Sequence, residues 1–477
     1  EKCGIMYIFQ SKNVGSPLVG TLCDGMGYKR EDETPVPSVC RENAMERHIL
    51  ADLQNWKERP DRKPLVLRGA RQVGKTWALQ EFGKRCFEDC AYVRLEDNAP
   101  AAALFEGSLE PSRLIEGLSA LARKPIIAGK TLLILDEVQS VPRALTALKY
   151  FCEDAPEYCI AVAGSLLGVA LHTSISFPVG KVDFLDLYPM SFTEYLEAAG
   201  ERDLLSFLQS SNLDMVSVFK EAYTDHLKRY YFVGGMPEVV KSFVEQGDFH
   251  RARVLQSAIV DAYEADFSKH VPGRDSERCR MVWQSLPRQL AKENKKFIYG
   301  TIEKGARGRD FEEAIQILVD SGVVLRVGRI AKPGLPLEAY RDPSAFKLYS
   351  LDVGLLGAMS GLDSATIVDG STLFTEFKGA LAEQYVCQQL VSDCGLAPYY
   401  WSAEKSSGEV DFVVQRGNDV LPIEVKAEVN LKSKSLASFC RTYGIGRAAR
   451  LSMSGYERGE WLTNVPLYAM SMLESSL

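Results

Sequence analysis

Eight consecutive residues constrain this chain more than any other feature. Gly69-Ala70-Arg71-Gln72-Val73-Gly74-Lys75-Thr76 satisfies G-x-x-x-x-G-K-[ST] at every fixed position, and that pattern needs a strand before it and a helix after it. Pro64–Arg68 reads as the strand, and a helix is expected to open near Lys75. The glycines let the backbone curl so that successive N–H groups face one centre, and the helix start adds partial positive charge. A cradle of this kind suits the phosphate tail of ATP, with all eight residues lining it. Lys75 would neutralise the β and γ phosphates, and the Thr76 hydroxyl would take one position on Mg2+. The plain alternative is a glycine turn with no ligand.

A second element points the same way. Thr131-Leu132-Leu133-Ile134-Leu135 is an apolar strand that ends in Asp136 and Glu137, which puts two carboxylates at the edge of a parallel sheet where ligands bind. Asp136 is expected on the Mg2+ side, and Glu137 is expected to polarise the attacking water. The next apolar run, Cys159–Ala163, ends in Gly164-Ser165. Ser165 is expected to sense the γ-phosphate or the water, a simple turn being its alternative. Gln139 is a candidate for coupling nucleotide state to the adjoining surface. Arg229, Arg274 and Arg278 are candidate donors of a charge-stabilising arginine from a neighbour.

The 477 residues are enough for about two to four packed units. Residues 1–44 show no sustained period and are expected to be a leader or a mis-called start, with the compact protein opening near Met45. Residues 45–199 alternate short apolar strands with helical stretches, the pattern of an α/β fold with a mostly parallel sheet. Residues 200–275 read as helical. Residues 276–365 combine the helix Asp310–Ser321 with the strand runs Val323–Ile330 and Ala339–Tyr349. Residues 366–477 begin with a long helix and continue into a hairpin, Val410–Gln415 and Val420–Lys426, around Arg416-Gly417-Asn418-Asp419.

Lys plus Arg total 56 against 63 Asp plus Glu, a net charge of -7. No global basic field advertises nucleic acid, although a local patch stays compatible with these totals. The longest apolar runs fall far short of the roughly 20 residues that span a bilayer, so no membrane partner is expected and the cytosol is the expected compartment. Eleven cysteines follow no disulfide framework and read as free thiols. Cys86 and Cys90 are expected four apart on one helix, too few ligands for zinc.

The hairpin near the end carries its own chemistry. Glu424 and Lys426 are two apart on one strand and leave the same face. If Asp411 reaches that edge, two carboxylates could hold Mg2+ while Lys426 orients or deprotonates water for phosphodiester cleavage. Glu383, in the helical stretch Lys378–Leu390, would complete the cluster. Alternating charges on a solvated hairpin are the bland alternative. Tyr399, Tyr400 and Trp401 fit core packing, with base stacking as the alternative.

With these residues placed, the chain resembles the prokaryotic AAA-type (AAA_14-like) ATPases that carry a C-terminal domain of unknown function. The resemblance is carried by Arg62-Lys63-Pro64-Leu65 and the phosphate loop, Leu135-Asp136-Glu137-Val138-Gln139, Ala163-Gly164-Ser165, Leu187-Tyr188-Pro189-Met190-Ser191-Phe192-Thr193-Glu194-Tyr195-Leu196 and Gly234-Gly235-Met236-Pro237-Glu238. It implies a winged-helix-like connector and a terminal domain similar to restriction-endonuclease (PD-(D/E)XK) folds, whose metal site maps onto Glu383, Asp411, Glu424 and Lys426. Three functions are compatible with the whole: an ATPase that switches or moves a DNA or protein partner, an ATP-gated metal-dependent nuclease, and a nucleotide-holding scaffold. A homo-oligomer is compatible with each.

Overall fold

The computed structural model describes residues 46–164, 178–271, 273–292, 296–363, 372–403, 408–427 and 433–476. Residues 1–44, set apart in the sequence, lie outside the described residues, as do Ser165 and residues 166–177.

The first sheet is built from β1 (Leu65–Arg68), β2 (Asp89–Arg94), β3 (Thr131–Asp136), β4 (Cys159–Ala163) and β5 (Asp183–Asp186). Its order is β2-β3-β4-β1-β5, with every pair parallel. The two central runs β3 and β4 are buried at every residue, which is why they read as unbroken apolar stretches: helices cover both faces of such a sheet. Successive side chains alternate between faces. Leu65, Leu67, Leu132 and Ile134 meet the helices Ile49–Glu58 and Lys75–Cys86 on one side. Val66, Leu133, Leu135, Ile160 and Val162 meet Pro111–Ala122 and Pro142–Asp154 on the other. Each such leucine contributes about 1.5–3 kcal/mol by leaving water.

β5 escapes sequence reading because it is short and carries Asp183 and Asp186; only its pairing with β1 makes it a strand. Cys86 closes a helix while Cys90 lies in β2, so the pair expected on one helix falls on two elements.

After Ser191, whose side chain forms a capping box with Glu194, the chain is helical through Phe192–Ala198, Arg202–Gln209, Leu213–Val218, Lys220–Val233, Pro237–Gln246 and Phe249–His270. The helices Arg274–Ala291 and Gly308–Asp320 lead into the second sheet. Its strands are β6 (Val324–Ile330), β7 (Arg341–Ser350), β8 (Tyr399–Ser402), β9 (Glu409–Arg416), β10 (Asp419–Lys426), β11 (Ala448–Ser452), β12 (Glu457–Arg458) and β13 (Leu462–Pro466), in the order β12-β13-β11-β10-β9-β8-β6-β7. The antiparallel β6–β7 pair, expected from the resemblance in a winged-helix-like connector, joins β8 through β6 and so extends the terminal sheet. β9 and β10 turn over Gly417-Asn418, with Arg416 opposite Asp419 and Gly417 at φ 56°; a two-residue hairpin loop of this kind requires positive φ. The helix Thr372–Ser392 packs on this sheet. Among the described residues no helix is long and apolar enough to cross a membrane.

Candidate functional site

The phosphate-loop segment leaves β1 at the carboxyl edge of the first sheet, between neighbours β4 and β5, where the strand order turns and ligands bind in open α/β sheets. Gly69 has φ 144°, and a Cβ there would lie 2.2 Å from the Leu187 carbonyl oxygen. No other residue fits. Gly74 has φ 96° and starts the helix Lys75–Cys86. Lys75 Nζ donates to the carbonyls of Gly69 at 2.8 Å and Ala70 at 2.7 Å. Burial pushes its pKa down to about 8, against the opposing pull of Glu137 and Asp136.

Thr76 Oγ1 donates to Asp136 Oδ2 at 2.7 Å, and Tyr92 OH donates to the same oxygen at 2.9 Å. The strand β3 thus delivers Asp136 to the first turn of the helix, 60 residues away in the chain. Glu137 follows with φ 53°, which turns the chain sharply off the strand. Gln139 Nε2 donates to Glu137 Oε2 at 2.6 Å, tying together two residues that the sequence singled out separately.

Several residues around the loop carry no local signal. Arg47 is buried and donates from Nε to Glu194 Oε1 at 2.9 Å, from Nη1 to the Val73 carbonyl at 2.9 Å and from Nη2 to the Tyr188 carbonyl at 2.7 Å. It anchors the loop to the capping-box residue Glu194. On another side, Arg71 pairs with Asp266 at 2.5 Å, and its carbonyl accepts from Tyr263 OH at 2.7 Å. Lys269 of the same helix pairs with Glu96 at 3.2 Å. Gly322, at φ 73°, comes so close that a Cβ on it would lie 3.3 Å from the Ala70 nitrogen. The loop is therefore gripped by the helix Phe249–His270 and by the turn before β6.

The four residues expected at a second metal site occupy one region but do not form one ligand set. Lys426 Nζ lies 2.8 Å from Glu424 Oε1. Asp411 Oδ2 accepts from the Val425 N–H at 2.7 Å; burial, followed by the neighbouring Glu383, raises its carboxyl, while Lys347 pulls it back down. Glu383 Oε2 accepts from Tyr349 OH at 3.1 Å. A residue absent from the sequence reading, Lys347, lies 3.6 Å from Glu383 and 2.7 Å from Glu409. Among the described residues no three His, Cys, Asp or Glu side chains are gathered to hold a metal ion, and a lysine enters the expected cluster from β7. Tyr400 is fully buried 5.3 Å from that ammonium, and the Trp401 ring packs 5.0 Å from Phe439. Both aromatics belong to the core.

Comparison with known proteins gives three stretches of the chain a counterpart. Residues 61–196 match a family described as an AAA domain. Residues 224–366 and 378–470 match two domains of unknown function, DUF8612 and DUF4143. No curated protein matches. Among solved structures, the Walker-type ATPase of Pyrococcus abyssi is 16% identical with a TM-score of 0.40, covering 67% of this chain and 97% of that one. The Aeropyrum pernix ORC1 protein in complex with DNA is 15% identical, TM-score 0.27, with coverages of 68% and 95%. AMPPCP-bound DnaA from Aquifex aeolicus is 15% identical, TM-score 0.26, with coverages of 57% and 86%. Similarity this low carries no argument about shared partners. The chain thus matches the AAA domain at residues 61–196, where its phosphate loop lies, and after it matches two domains of unknown function.

Proposed function

We propose that the protein hydrolyses ATP with Mg2+ and uses the cycle to change the grip between its ATPase core and the helices and sheet that follow, and so to switch or move a DNA or protein partner. The observation that carries this reading is the meeting of Thr76 and Asp136 at 2.7 Å beside Glu137. A hydroxyl from the phosphate loop and a carboxylate from the strand end are hard oxygen donors, and their convergence supports a triphosphate-bound Mg2+ as the ion they would hold. The fit supports these two residues as its holders. Bound there, the ion would neutralise charge on the phosphate oxygens.

The backbone N–H groups of residues 70–76 bind the phosphates. Lys75 exchanges its bonds to the Gly69 and Ala70 carbonyls for phosphate oxygens. Glu137 accepts a proton from the attacking water, and Gln139 holds its carboxylate in place beforehand. Ser165, assigned to γ-phosphate sensing from the sequence, lies outside the described residues. Any movement of the loop is felt at Arg71, hence at Asp266 and Tyr263, and at Gly322 against Ala70. These contacts support a route from nucleotide state to the rest of the molecule. A pure nucleotide-holding scaffold has no use for the carboxylate of Glu137.

Glu137→Gln is expected to keep ATP binding and lower phosphate release by about 10²–10⁴-fold. Undiminished release would remove the assignment. Adding double-stranded DNA to the wild-type assay tests the partner: stimulated turnover assigns DNA, and an unresponsive rate directs the reading to protein.

A further inference from the structure

The terminal region holds a second concentration of charge that ATP turnover does not use. Three elements build it. The helix Thr372–Ser392 brings Glu383, β9 brings Glu409 and Asp411, and β7 brings Lys347. Lys347 is 7% exposed, and an ammonium buried to that degree persists only with compensating charge. Burial alone would lower its pKa; Glu383, Glu409 and Asp411 together more than reverse this. Its contacts, 2.7 Å to Glu409, 3.6 Å to Glu383 and 5.3 Å to the Tyr400 ring, enclose it on several sides. Tyr349 reinforces the arrangement by donating to Glu383 at 3.1 Å. The remaining lysine, Lys426, is engaged 2.8 Å from Glu424.

We infer that the Lys347 ammonium is the resident cation of this carboxylate centre, standing where a divalent metal would otherwise be drawn, so that the terminal domain does no metal-dependent phosphodiester cleavage. A divalent ion entering among Glu383, Glu409 and Asp411 must displace a covalently attached positive charge, and the two cations repel each other at close range. The lysine also ties the β6–β7 hairpin to β9 and to the helix Thr372–Ser392, so the centre works as a strut within the terminal sheet. This inference rests on side-chain contacts alone and is independent of the ATPase reading.

The test uses the full chain without nucleotide, titrated with Mn2+ and read by electron paramagnetic resonance of the free ion and by melting temperature. Wild-type and Asp411→Asn chains are expected to respond identically, any weak ion at the phosphate loop being common to both. Lys347→Met is expected to gain a Mn2+ site at least tenfold tighter than anything in the wild type, with melting raised by the ion. Lys347→Met combined with Asp411→Asn is expected to lose that gain. A wild-type Mn2+ site that Asp411→Asn abolishes overturns the inference, as does a folded Lys347→Met chain with no gain. If Lys347→Met does not fold, the wild-type and Asp411→Asn pair decides alone: a difference in Mn2+ binding refutes, and identity upholds. Supercoiled plasmid is expected to stay intact with Mg2+ or Mn2+; nicking by wild type that Asp411→Asn removes also overturns the inference.

Discussion

The burial of Lys75 makes ATP affinity depend on pH in a calculable way. In the folded chain its pKa is pushed down to about 8 from an ordinary 10.5. A triphosphate favours the charged ammonium, so binding must take up a proton wherever the free site has lost one. Between pH 7.5 and 9.5 the protonated share falls from about three quarters to about 3%, so affinity should drop about 25-fold, roughly 1.9 kcal/mol. At pH 8 about half a proton should enter with each ATP. The stability of the fold itself moves the opposite way. A lysine whose folded pKa lies below its unfolded one destabilises the fold while both states are charged, and that cost fades as pH rises from about 8 toward 10.5. The assay is calorimetric titration of the wild-type protein with a Mg2+-bound non-hydrolysable ATP analogue in two buffers of different ionisation enthalpy, because Glu137→Gln would itself shift Lys75. Lys75→Met in the same assay should bind weakly with a flat profile. Affinity constant within about threefold over this window, or an equal slope in the Lys75→Met chain, would refute the argument that burial of this one ammonium governs the site.

Two further substitutions probe the loop's supports. Gly69→Ala places a methyl 2.2 Å from the Leu187 oxygen at φ 144°, so the loop must shift; about 100-fold lower turnover with unchanged circular dichroism is expected, and near-normal turnover would show that the entry tolerates a side chain. Arg47→Met strips the guanidinium from buried Glu194, a loss of about 3–5 kcal/mol, seen as a lower melting temperature that Glu194→Gln partly restores; an unchanged melting temperature would show that the pair contributes nothing.

Much of the ATPase core is legible in the chain because its chemistry is contiguous. A glycine-rich turn, the helix it starts and an apolar strand ending in Asp136-Glu137 each express local backbone and solvent preferences, and these survive whatever packs around them. The β9–β10 hairpin is visible for the same reason: Gly417-Asn418 sets its turn, and alternating residues set its faces. β5 is invisible because four residues with two aspartates become a strand only through hydrogen bonds to β1. Likewise nothing in Val324–Ile330 announces that it will pair with Tyr399–Ser402.

The partners of charged side chains are the least legible of all. Arg47 reaches Glu194 across 147 residues, and Arg71 reaches Tyr263 and Asp266 across about the same span or more. Lys347 reads as an ordinary surface lysine until β7, β9 and the helix Thr372–Ser392 enclose it. Local patterns record which face of an element prefers water, since the hydrophobic effect acts on each residue separately. Which acid a buried base meets depends on how distant elements stack, because a charge is tolerated out of water only beside its counterion, and that meeting exists only once the chain has closed on itself.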